Sequence, residues 1–213
     1  MTAKQPARER PPSHPDVEIL NTEIGFARHL RVEIVRFRHR LFAGGWSGER
    51  VFDVVRRGPA VGVLLYDPER DSVVLIEQFR VAALYAGRSP WQIEAVAGLV
   101  DTDETPATVA RREACEEANL DPIGPLLPIQ IILPATGSYD EAVSLFCGRV
   151  DSRAAGGVYG LAEEQEDIRV IVKTVAEVEA MLDGGQIESV HTLICLYWLL
   201  RHRERLRKVW LGA

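Results

Sequence analysis

The chain has 213 residues, 46% of them hydrophobic and 26% charged, which suits a water-soluble protein with one domain of ordinary size and a smaller appendage. A net charge of −6 supplies no basic field for a nucleic-acid backbone and excludes nucleic acid as an expected partner. The three cysteines, Cys115, Cys147 and Cys195, form no CxxC pair, which argues against a disulfide framework or structural zinc and for buried thiols in a reducing cytoplasm.

In chain order, residues 1–16 are rich in proline and charge and are expected to be a disordered tail; with no apolar run, they are not a signal peptide. No later stretch approaches the roughly 20 apolar residues of a membrane span, so a cytoplasmic protein without a membrane partner is expected. From Ala27 to Phe42, Leu30, Val32, Ile34, Val35 and Phe37 interleave with Arg31, Glu33, Arg36 and Arg38, predicting a half-buried strand with a bulge at Ile34–Val35. Gly44-Gly45-Trp46-Ser47-Gly48 predicts a turn into a second strand, Arg50–Arg56. A short hairpin buries little of its own face, so residues 17–57 are expected to form a β domain that packs against a partner subunit, giving a homodimer.

Residues 58–213 are expected to form the larger domain. Val61–Tyr66 and Val73–Phe79 flank a turn at 67–71 and predict a central hairpin, followed by a glycine-bounded stretch, Glu94–Asp103, and a helix beginning at Thr105. Further strands are predicted at Pro128–Ile132, Val143–Val150 and Ile168–Thr174, then helices over Val175–Leu182 and from Ser189 to about Arg207. This order implies an α+β fold: a mixed sheet sandwiched between helices, preceded by an N-terminal antiparallel sheet.

The helix after Thr105 carries the chemistry. Thr105 suits an N-cap and Pro106 the first helical position. Glu113, Glu116 and Glu117 then fall at i, i+3 and i+4, where like charges destabilise a helix by about 0.2–0.5 kcal/mol per pair. A divalent cation reverses that sign, and an all-oxygen ligand set favours Mg²⁺ or Mn²⁺ over zinc. Ala107, Ala110, Ala114 and Ala118 predict a small-residue stripe on the other side, seating the helix close to the sheet. Arg112 is placed to pair with Glu104. Taken alone, three glutamates at this spacing fit a solvated acidic face equally well.

The wider segment resembles the Nudix signature, G-x5-E-x7-R-E-U-x-E-E-x-G-U. Gly98, Glu104, Arg112, Glu113, Glu116, Glu117 and Leu120 match in spacing, Ala114 stands at the first aliphatic position, and Asn119 replaces the last glycine. Asn tolerates the left-handed conformation expected at that helix end. The resemblance implies the Nudix fold and water attack on the phosphorus of a nucleoside diphosphate linked to another moiety. Divalent metals would be bound by Glu113 and Glu117, with Glu116, Glu104 and the Ala97 carbonyl in support. The metals would neutralise phosphate charge and acidify the attacking water.

Outside the signature, Phe37–Phe42 followed by Gly45 and Ser47, Val73–Arg80, Pro90–Trp91, Glu94–Gly98 and Gly160–Arg169 resemble the bacterial ADP-ribose pyrophosphatase subfamily. The likeness spans roughly residues 17–210 and is weaker over 121–140, where Pro134-Ala-Thr-Gly137 stands in place of a glycine pair. By that resemblance Glu164 is the catalytic base, Glu166 a further metal-associated carboxylate, and Arg80 a phosphate clamp. Glu141 would meet ribose hydroxyls and Arg57 line the same pocket, while Phe26 or Arg28 would reach across the dimer to stack on adenine. His29, His39 and His191 have no metal-ligand spacing and are read as structural. The implied substrate is ADP-ribose, cleaved to AMP and ribose 5-phosphate. GDP-mannose or another nucleoside-diphosphate sugar is the alternative in the same class. A non-catalytic ADP-ribose sensor is a further reading, against which the intact Arg112-Glu113 and Glu116-Glu117 stand.

Overall fold

The structure, a computed structural model, describes residues 13–28, 30–100, 103–161 and 165–212. The expected tail over 1–12, His29 and Glu164 lie outside the described residues. The chain divides into two compact units, Met1–Pro59 with Leu133–Ala142, and Ala60–Ile132 with Val143–Ala213.

In the first unit, β1 (Val17–Ala27), β2 (Arg31–His39) and β3 (Arg50–Arg56) make an antiparallel sheet in that order. The single strand expected over Ala27–Phe42 is therefore two, because Ala27 closes β1 and a turn at Arg28 intervenes, its N–H donating to the Leu30 carbonyl at 3.0 Å. β1 lacks strict alternation, which concealed it. Its partners skip Leu20 and Gly25, so the bulges lie there, while β2 pairs with β3 unbroken through Ile34 and Val35. An edge strand absorbs an extra residue more easily than a central strand bonded on both sides. The tail also ends earlier than expected, since Val17 N–H donates to the His14 carbonyl and Arg40 N–H to that of Asp16. Glu33 is buried in this sheet and pairs with Arg31 at 2.5 Å and Arg56 at 2.6 Å. Residues 133–142, assigned from sequence to the larger domain, run beside β3. Val55 N–H donates to the Ser138 carbonyl at 2.8 Å, and Asp140 accepts from Arg56 Nε and from the Arg57 N–H, each at 2.7 Å.

The second unit is built on the hairpin of β4 (Ala60–Asp67) and β5 (Ser72–Phe79), whose turn is closed by Asp67 accepting the N–H groups of Glu69 and Arg70. β9 (Val143–Arg149) joins β4 in parallel, which makes the sheet mixed. Its order is β10 (Gly157–Tyr159), β11 (Ile168–Thr174), β5, β4, β9 and β8 (Ile123–Ile132). β6 (Trp91–Glu94) pairs with β5 and β7 (Val96–Leu99) with β4. β4 is buried along its whole length, as its unbroken apolar run requires. Val61, Val63 and Leu65 pack with α2 (Pro106–Ala118) on one face. Ala60, Leu64 and Tyr66 pack on the other beneath α3 (Val175–Asp183) and α4 (Val190–Leu211). Each such fully buried aliphatic side chain contributes about 1.5–3 kcal/mol, so the sheet under α2 is a rigid floor. The short helix α1 (Val81–Tyr85), β6 and β10 span too few residues to show a period and were not foreseen.

Candidate active site

α2 begins as the sequence requires. Thr105 caps it by accepting from the Thr108 N–H, and Pro106 opens the first turn. It ends on Asn119 in the left-handed conformation, φ 53°, with the Leu120 N–H donating back to the Ala114 carbonyl at 3.1 Å. Val109, Ala110, Ala114 and Ala118 are buried against the sheet, but Ala107 is exposed, so the stripe is one residue shorter than expected. One of the acidic residues is not on the other side of that stripe. Glu117 lies seven residues after Ala110 and three after Ala114, which puts it in the middle of the packed face, and it is only 3% exposed. The small alanines therefore make room for a buried carboxylate as well as a close helix–sheet approach.

Glu117 accepts one hydrogen bond, from the Ala97 N–H of β7 at 3.2 Å, and among the described residues no cation forms an ion pair with it. Burial pushes its carboxyl up to about 8, the Ala97 bond only partly offsetting this, with further upward pressure from Glu113 and Glu166. Glu113 is pushed up to about 7, again first by burial, with Arg112 opposing and Glu116 and Glu166 adding to the rise. Glu166 is thus in electrostatic reach of both. It is held by the Leu161 N–H at 3.0 Å, next to Gly160, whose φ of +110° is closed to most side chains and where an added Cβ would strike Glu166. Gly98 is similarly matched to its neighbour: a Cβ there would lie 2.2 Å from Glu113 Oε1.

Arg112 gathers the remaining carboxylates. Its guanidinium is 2.6 Å from Glu116, 3.0 Å from Glu113 and 3.6 Å from Glu104, as the pairing with Glu104 anticipated. Glu116 is consequently turned to Arg112, and among the described residues no group of three or more acidic, His or Cys side chains is already drawn together as a cation cage. The donor chemistry nevertheless fits a divalent cation. Glu117 and Glu113 are hard-oxygen donors held in low dielectric, with Glu166 in electrostatic reach of both.

Arg80 follows β5, and its side chain binds Glu94 of β6 at 2.9 and 3.0 Å. Its charge also reaches Glu117. Arg57 and Glu141 belong to the first unit and face each other at 3.8 Å. Phe26, 51% exposed near the end of β1, and Arg28 just beyond it belong to that unit too. Sequence reasoning missed Glu94, its neighbour Gln78 and Thr192. Thr192 is fully buried, and its hydroxyl accepts the Ala95 N–H at 2.8 Å from 97 positions away, between β6 and β7. Separations of that size leave no local signal.

A NUDIX domain model matches residues 56–191. The chain belongs to the NUDIX domain family. It is similar to the ADP-ribose pyrophosphatase of Escherichia coli (strain K12), with 40% identity over 195 residues, 92% of this chain and 93% of the relative. Similarity to the GDP-mannose pyrophosphatase of Citrobacter koseri is 35% over 149 residues, 69% of this chain and 76% of the relative. A crystal structure of an ADP compounds hydrolase shares the NUDIX fold, with a TM-score of 0.69, 19% identity, and coverage of 92% of this chain and 97% of that one. No described helix is long and apolar enough to cross a membrane.

Proposed function

We propose that this NUDIX protein hydrolyses the diphosphate of ADP-ribose to AMP and ribose 5-phosphate, using Mg²⁺, for which Mn²⁺ can substitute. The observation that carries this reading is Glu117, a carboxylate buried against the sheet with no ion-pairing cation among the described residues, and with Glu113 and Glu166 in electrostatic reach. The substrate follows the pyrophosphatase to which nearly the whole chain is similar.

Glu113, Glu117 and the Ala97 carbonyl would hold the cation, with Glu116 and Glu166 in support. A divalent ion there supplies charge neutralisation for the diphosphate and lowers the cost of ionising water. The chain's own residues do the rest. Arg112 orients Glu113 and Glu116 by charge-assisted contacts at 3.0 and 2.6 Å. Glu164 takes the proton of the attacking water, and the cleaved P–O bond leaves its electron pair on the departing phosphate. Arg80 clamps the diphosphate, Glu141 meets ribose hydroxyls with Arg57 beside it, and Phe26 or Arg28 reaches across the dimer to stack on adenine. The exposed apolar side chains of β1, Ile19, Ile24 and Phe26 among them, support a homodimer through the first unit.

Purified protein is incubated with Mg²⁺ and ADP-ribose, GDP-mannose, ADP-glucose, NADH or a diadenosine polyphosphate, and products are identified. ADP-ribose is expected to give the highest kcat/KM; a higher value for GDP-mannose refutes the substrate assignment. Glu164→Gln is expected to lower kcat by about 10²–10⁴, and a residual rate near wild type removes it as the base. Sedimentation is expected to show a dimer, and a monomer removes that assignment.

A further inference from the structure

Glu94 has a geometry that its place on a short strand does not explain. Its Oε2 accepts from Arg80 Nε at 3.0 Å, sits 2.9 Å from Arg80 Nη2, and accepts from Gln78 Nε2 at 3.1 Å. Glu94 is mostly buried, its side chain 16% exposed, whereas that of Arg80 is 44% exposed. A surface ion pair contributes little to stability, because both long side chains must be frozen in high dielectric. Here the carboxylate is fixed before the arginine arrives. β6 pairs with β5 to set Glu94 opposite Ile76, and the next residue, Ala95, is tied to the buried hydroxyl of Thr192. Nε and Nη2 form one edge of the guanidinium. Among the described residues Nη1 makes no hydrogen bond, so part of the fork remains available for an anion.

We propose that Glu94 is a positioning residue for substrate: it grips one edge of the Arg80 guanidinium and presents the other to the diphosphate. The proposal rests on the assignment of Arg80 to the diphosphate made above. An unheld arginine loses rotamer freedom when it binds an anion, and a pre-set one has already lost it, so Glu94 acts on affinity. Glu94 bonds Arg80 and Gln78 and is not assigned to the cation or to the attacking water, so kcat is expected to change little.

The test is titration calorimetry of the full chain with Mg²⁺ and a non-hydrolysable α,β-methylene analogue of ADP-ribose, beside steady-state kinetics on ADP-ribose. Glu94→Gln is expected to weaken analogue binding and raise KM by about tenfold, with kcat within about threefold of wild type. Arg80→Ala is expected to lose at least as much, and the double variant no more than Arg80→Ala alone. Wild-type binding by Glu94→Gln, or losses that add in the double variant, overturns the proposal. Wild-type binding by Arg80→Ala shows instead that Arg80 does not meet the diphosphate, and the proposal falls with that assignment. Thermal unfolding checks each fold, and Glu94→Asp, which keeps the charge but shortens the reach, is expected to show the same loss if Glu94→Gln does not fold.

Discussion

The carboxylate of Glu117 accepts the backbone N–H of Ala97 at 3.2 Å, joining the middle of the packed face of α2 to the strand β7 that it covers. One neutral hydrogen bond does not compensate a buried anion, and the side chain is held largely protonated near neutral pH, at about 8. A helix that places such a group against its sheet does so at a cost in stability.

Glu117→Gln preserves size and a carbonyl oxygen for the Ala97 N–H while removing the charge. In metal-free buffer above pH 8 this variant is expected to melt a few degrees higher than wild type. Its kcat on ADP-ribose is expected to fall by several orders of magnitude. Differential scanning calorimetry and product assays decide both. A variant that is active, or one that melts well below wild type, contradicts the reading of Glu117 as a buried ligand.

The pH dependence of the metal-free protein follows with its sign. Glu113 and Glu117 titrate at about 7 and about 8 when folded, against 4.5 as the ordinary carboxyl value. A raised folded value means the native state binds more protons than the unfolded chain over that window, so stability is fully present below 4.5 and lost as pH rises toward 8. Melting temperature in EDTA is therefore expected to fall between about pH 5 and 8, more steeply than at Glu117→Gln. Mg²⁺ is expected to flatten the decline, because a bound cation favours the ionised carboxylates. An EDTA curve flat across that range refutes the burial of these two groups as charge-sensitive sites.

Gly98→Ala tests the approach of β7 to the acid pair. The new Cβ would lie 2.2 Å from Glu113 Oε1 and 2.6 Å from its Cγ, an overlap that must be relieved. The obstructing atoms are the far part of a flexible side chain, so the fold survives and Glu113 moves. Circular dichroism and melting temperature are expected to stay near wild type while kcat drops by about 10²-fold, the scale of a misplaced reacting group. Unchanged kcat would mean that the position of Glu113 is not critical to turnover.

Much of this site was legible in the sequence because its information is local. The Thr105 cap, the Pro106 start, the left-handed Asn119 and the Glu104–Arg112 pairing all lie within one short segment, the helix and the residues that lead into it. The burial of Glu117 was equally available from helical spacing, since positions 110, 114 and 117 share a face. The i, i+3, i+4 spacing of the glutamates is equally consistent with a solvated face, so spacing alone does not decide between the two. What was not legible depends on strand pairing: the Glu94–Arg80 grip needs β6 on β5, and the Thr192–Ala95 bond needs α4 laid over the sheet. The strand β1 was hidden for a similar reason, since its bulges at Leu20 and Gly25 break the alternation by which a strand is recognised.

Asp71 supplies a stability prediction independent of the chemistry. It sits in the β4–β5 turn at φ 53° and accepts the Tyr66 hydroxyl at 2.7 Å. It also receives Arg203 Nε at 2.8 Å, with Arg207 at 3.3 Å, so the hairpin is stapled to the C-terminal helix α4. Burial pushes its carboxyl up, but the bonds from Arg203 and Tyr66 outweigh it and hold the group below its ordinary value. The sign is opposite to that of Glu117: the staple's stability is present above the ordinary carboxyl range and lost as pH falls through the lowered value. Asp71→Asn retains tolerance of the left-handed backbone and one accepting oxygen, so it isolates the charge. It is expected to cost about 1–3 kcal/mol, the range for losing a charged hydrogen-bond partner, and to leave kcat on ADP-ribose unchanged. Urea unfolding at neutral pH should show a lower midpoint with the same slope, and the gap to wild type should close in acid, where wild-type Asp71 is itself protonated. A gap that persists unchanged in acid would locate the loss in turn geometry, and the ionic staple between hairpin and helix would then contribute nothing.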